Sequence, residues 1–112
     1  MKRSLILTTL AAVALFATSA QAGGDVEAGK QKAQPCAACH GDGNKSIDPQ
    51  YPRLAGQYAD YLVKALTDYK TGARKNPIMA GFAQALSAQD IEDLAAYYQA
   101  QPGDLEDLSH ME

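Results

Sequence analysis

Cys36-Ala37-Ala38-Cys39-His40 reads C-x-x-C-H, the spacing at which a polypeptide carries a covalent haem. Each thiol can close a thioether on a haem vinyl group, and the residue that follows, His40, is placed to ligate the iron. Other uses of this spacing fit the rest of the chain less well. A structural zinc site needs four ligands. The cysteines and histidines here are Cys36, Cys39, His40 and His110, with no second C-x-x-C. A thioredoxin-like dithiol belongs to a βαβ context, and the sequence has no convincing strand pattern. A plain disulfide is chemically available in an oxidising compartment.

The other face of the iron needs a ligand or stays open. The three methionines are Met1, Met79 and Met111, and Met79 follows His40 by 39 residues in a segment framed by Pro77 and Gly81. A thioether is a soft, neutral ligand that favours ferrous iron and raises the potential over bis-histidine ligation. The alternative is that Met79 fills core space, with His110 a surface histidine. With both axial positions filled, the iron changes oxidation state with little rearrangement, which suits an electron carrier rather than an enzyme. An open site gives instead a haem sensor or a peroxidatic protein. A third reading is the haem-bearing subunit of a larger oxidoreductase. A haem held between His40 and Met79 implies an apolar cavity flanked by both.

Upstream, Lys2 and Arg3 precede an apolar run from Leu5 to about Thr18, followed by Ala20-Gln21-Ala22. This reads as a secretory signal peptide over 1–22 and implies a periplasmic location. Cysteines exported there tend to oxidise unless haem attachment consumes them. Removing Lys2 and Arg3 takes the formal charge from −3 to −5, a poor balance for nucleic-acid binding, and no second apolar span follows. Residues 23–101 read as one monohaem domain and 102–112 as an acidic tail. A domain this small buries only part of its surface. Covering about 500 Å² of haem contributes on the order of 10 kcal/mol as an upper bound, so the haem is expected to be the core and the apo chain largely unfolded.

The pattern predicts an all-α fold with about four helices and irregular loops around one haem. Asp25 is an N-cap candidate for a first helix over 26–34, stopped by Pro35. Residues 41–52 are rich in turn formers. Tyr58, Tyr61, Leu62, Ala65, Leu66 and Tyr69 form a helical stripe over 57–71, with Gly72 as its stop. Residues 73–86, with Asn76-Pro77 as a turn, read as irregular. Ser87 and Asp90 form a capping box for a last helix reaching about Gln101.

Taken together, Cys36 to Gly41, Tyr51-Pro52-Arg53-Leu54-Ala55-Gly56-Gln57, Lys75-Asn76-Pro77-Ile78-Met79 and Asp93-Leu94-Ala95-Ala96-Tyr97-Tyr98 resemble class I c-type cytochromes. The likeness is to the short bacterial carriers of the cytochrome c4 and c553 type. It implies a cytochrome c fold holding one haem c, with Cys36 and Cys39 as thioethers and His40 and Met79 as axial ligands. It also implies that the Pro52 carbonyl accepts the second ring N–H of His40 and that Leu54 packs on the haem. Gly29 is expected where the first and last helices cross, against Leu94 and Tyr97, with Ala33 in place of a usual aromatic. The resemblance further implies a monomer that meets donor and acceptor redox proteins transiently. Lys64, Lys70, Arg74 and Lys75 cluster in sequence, either steering such a partner or forming an ordinary solvated helix face.

Overall fold

The computed structural model describes residues 23–103, so the signal-peptide reading and most of the acidic tail, with His110 and Met111, lie outside the described residues. Within them every regular element is a helix: α1 Val26–Lys32, α2 Gln34–His40, α3 Ala59–Thr71, α4 Pro77–Gln84 and α5 Ala88–Ala100, with no strand. The all-α expectation holds, with five helices rather than about four.

Two elements differ from the sequence reading. Pro35 does not stop a helix; it stands in the first turn of α2. A proline there lacks only an N–H that has no helical partner anyway. The first helix therefore ends at Lys32, and the C-x-x-C-H motif lies on a helix of its own. Likewise 73–86 is not irregular, since Asn76 caps α4 and Pro77 opens it.

The predicted caps of α1 and α5 are present. Asp25 accepts from the Ala28 N–H at 2.8 Å, and Ser87 and Asp90 exchange capping-box bonds at 3.0 and 2.9 Å. Tyr58, at the N-cap of α3, offers no side-chain cap. Instead Gln99 of α5 accepts from the Ala59 N–H at 2.7 Å, tying two helices together.

Helix α5 is the hub. It packs on α1 and α3, whereas α4 packs on α3 alone. The core cluster joins Ala33, Leu62, Leu94, Ala95 and Tyr98. Gly29 is buried where α1 meets α5; a Cβ there would lie 2.0 Å from the Asp93 carbonyl oxygen and 2.7 Å from Tyr97 Cβ. Only a residue without a Cβ permits that approach. Ala33, one turn later, is buried in the same cluster as Tyr98.

The crossing is also held by charge. Asp93, 3 % exposed, accepts from the Asp25 N–H at 2.8 Å and from Gln89 Nε2 at 2.8 Å. Lys32 Nζ donates to Asp93 as well and lies 2.8 Å from Asp90 Oδ1. The Asp25 N–H first, then Lys32, hold the Asp93 carboxyl below the usual carboxylate range. Lys32 and the Ser87 N–H lower Asp90 to about 2.

Candidate functional site

One cavity of about 1250 Å³, counting the space open to solvent at its mouth, is lined by Cys36, Cys39, His40, Pro52, Leu54 and Met79 together. Each of the six residues picked out by the sequence thus faces the same space, although they come from α2, the 41–58 loop and α4.

Helix α2 supplies three of them. Cys36 and Cys39, one turn apart, are half-buried free thiols, and His40 is buried at the helix end. Burial pushes the Cys36 thiol pKa up, and a hydrogen bond with Tyr98 works against that rise. The helix stops at Gly41, whose φ of 62° and whose missing Cβ, 2.0 Å from the Lys45 carbonyl oxygen, admit a sharp turn. The loop then folds back on itself. Asp42 Oδ1 accepts from the Asn44 and Lys45 N–H groups, and the Gly43 carbonyl accepts from Leu54 at 2.7 Å and Ala55 at 2.9 Å.

This return path brings the Pro52 carbonyl oxygen to 2.8 Å from His40 Nδ1. A carbonyl can only accept, so Nδ1 carries a proton, and in the neutral ring this tautomer leaves the lone pair on Nε2. The Tyr51 ring stands 6.3 Å from the imidazole, tilted by 58°.

Met79 lies in the first turn of α4 rather than in a loop, and Asn76 Oδ1 accepts from its N–H at 3.1 Å. The walls between α2 and α4 are mainly apolar: Leu62, Leu66 and Tyr69 from α3, Ile78 and Phe82 from α4, Leu94 and Tyr98 from α5. The sequence showed the α3 stripe as a buried face without assigning it to the site. Its period marks the face but not what the face meets.

The charged side chains lining the cavity are Arg53 and Arg74, with no aspartate or glutamate among its lining residues. Arg74 sits 4.8 Å above the Tyr69 ring and reaches the Tyr61 hydroxyl at 3.5 Å. The basic group noted in sequence is therefore not one patch. Lys64 pairs with Asp68 at 2.7 Å and Lys70 donates to the Leu86 carbonyl, which leaves Arg74 and exposed Lys75 near the cavity.

The donor set fits a covalent haem. Two thiols sit on one helix, an imidazole has its second nitrogen engaged, a thioether lines the same cavity, apolar walls suit a macrocycle, and arginines suit its carboxylates. Such a helical domain, with a C-x-x-C-H helix facing an apolar cavity, defines a class I c-type cytochrome.

Comparison with known proteins agrees. Residues 26–101 match the family model for cytochrome c. Cytochrome c4 of Stutzerimonas stutzeri is 45 % identical over 93 residues, covering 75 % of this chain and 44 % of that protein. Cytochrome c-554(548) of Halomonas halodenitrificans is 44 % identical over 81 residues, covering 70 % of this chain and 98 % of that one. The crystal structure of reduced recombinant cytochrome c4 from Pseudomonas stutzeri aligns with a TM-score of 0.68 at 44 % identity, covering 73 % of this chain and 48 % of that one. The chain thus spans under half the length of these cytochrome c4 relatives. The chain belongs to the cytochrome c family, whose members carry covalently bound haem c.

Proposed function

We propose that this protein is a periplasmic monohaem cytochrome that carries single electrons between redox proteins and transforms no substrate. Cys36 and Cys39 hold the haem by thioethers, and His40 and Met79 are its axial ligands. The observation that carries this reading is the shared cavity, lined by both the C-x-x-C-H helix and Met79. Bound haem supplies the one-electron couple.

The chain's own residues set the conditions for it. Pro52 fixes the tautomer of His40, so that Nε2 is the ligating nitrogen. Leu54 and the α3 face give a bound haem apolar walls, and an apolar surround limits solvent at the iron and so the reorganisation when its charge changes. Met79 occupies the sixth position, which leaves no site for oxygen or peroxide. The relatives called cytochrome c4 support the carrier reading. The acidic composition and the wish for a brief, weakly held encounter suit a monomer acting through a small interface.

The test is a redox-titrated absorption spectrum with intact mass of exported protein. The expected result is the polypeptide plus one haem, low-spin in both states, with a ferric sulfur-to-iron charge-transfer band. A bare polypeptide mass under conditions where haem maturation works would overturn the haem reading. A five-coordinate high-spin ferric spectrum would favour a sensor or peroxidatic protein.

A further inference from the structure

We infer that Asn76 is the positioning residue for Met79, holding the thioether in place by closing the first turn of α4. The inference rests on the reading of Met79 as an iron ligand. Helix α4 has 8 residues, below the length at which a helix persists unaided, so it depends on what holds it. It packs on α3 alone, and of its side chains only Ala83 is buried. A short helix with one neighbour and one buried side chain has little packing to fix Met79.

Asn76 supplies the missing restraint. Its Oδ1 accepts from the Ile78 N–H at 3.0 Å and the Met79 N–H at 3.1 Å, while its carbonyl accepts from the Ala80 N–H at 2.8 Å. Pro77, the first helical residue, has no N–H to satisfy and a φ preset for a helix. One residue thus takes every N–H of the first turn, including that of Met79 itself. At its other end α4 is tethered to α3 by Gln84 Nε2, which donates to the Lys70 carbonyl at 2.8 Å. Loss of the Asn76 cap therefore frees the end that carries the ligand while the far end stays attached.

The experiment is imidazole titration of ferric holo-protein, read by bleaching of the sulfur-to-iron band. Imidazole binds only when Met79 has left, so its apparent affinity reports how often the ligand lets go. Asn76→Ala is expected to bind imidazole about fivefold more tightly than the wild type, the scale of a lost N-cap. Asn76→Ser, which can still cap, should return to the wild-type value. Ser87→Ala removes a cap of α5, a helix that does not carry the ligand, and should leave imidazole affinity unchanged even though it lowers the melting temperature. If Asn76→Ala gives no holo-protein, Asn76→Gln, which moves the amide one methylene away, takes its place with the same expected gain. Wild-type affinity in the uncapped variant, or an equal gain in Ser87→Ala, overturns the inference. Absence of the band in the wild type is a separate failure: it removes Met79 as a ligand, and with it the reading on which the inference stands.

Discussion

Gly29 sets two effects against each other. By helix propensity alone, Gly29→Ala should stabilise α1 by about 1 kcal/mol. The added Cβ, however, would lie 2.0 Å from the Asp93 carbonyl oxygen. The helices must then part, and overpacking of that kind costs about 1–3 kcal/mol or more. We expect net destabilisation of the holo-protein in chemical denaturation, and a raised midpoint would show that the α1–α5 contact is looser than described. Asp93 makes a second test. Removing it leaves the Asp25 N–H without its acceptor and Lys32 with Asp90 alone, so Asp93→Ala should cost roughly 2 kcal/mol in thermal melts. Asp90 and Asp93 also fix the acid limb. Both carboxyls are lowered on folding, so their contribution is present above the unfolded value of about 4 and is lost as pH falls below it, for Asp90 on the way to about 2. A melting temperature that stays flat between those pH values would contradict this. Cys36, Cys39 and His40 were legible because the motif is local. Asp93 was not, since its partners Asp25 and Lys32 lie more than sixty residues away and no short pattern joins them.

At the scale of elements, α1, α3 and α5 were readable because caps and apolar stripes agreed. Asp25, Ser87 with Asp90, and Gly72 mark ends where the sequence expects them. Helices α2 and α4 were missed for one shared reason. Pro35 and Pro77 were read as breaks, whereas a proline in a first turn begins a helix. The pair Asn76-Pro77 is compatible with a turn as well as with a cap followed by the first helical residue, and only the hydrogen bonds to Ile78 and Met79 decide between them. The packing yields a prediction for the holo-protein. Helix α4, resting on α3 alone, should exchange its amide hydrogens through local opening, whereas residues 91–98 of α5 should exchange only on global unfolding. Native-state hydrogen exchange measures this, and equal protection of α4 and α5 would show that they open as one unit.

For the whole molecule, the buried apolar set is small. Among the described residues, the buried hydrophobics are Ala33, Ala55, Leu62, Ala83, Ile91, Leu94, Ala95 and Tyr98, and half are alanine. Much of the remaining apolar surface, including Leu66, Ile78 and Phe82, faces the cavity instead. Haem-free protein is therefore expected to lack a cooperative melt in calorimetry; a sharp, native-like transition would show that the helices sustain themselves. The surface charges make a kinetic prediction. Replacing Arg74 and Lys75 by glutamate should slow encounter with an acidic redox partner in stopped flow at low salt, with the difference fading as salt rises. Equal rates would place the encounter surface elsewhere. The seam between α1 and α5 has one more consequence. Helices α1 and α5 are far apart in sequence, so a nascent chain that has not yet reached residues 88–100 offers Gly29 and Lys32 nothing to dock on. Closure of that seam therefore waits for residues 88–100 to emerge from the ribosome.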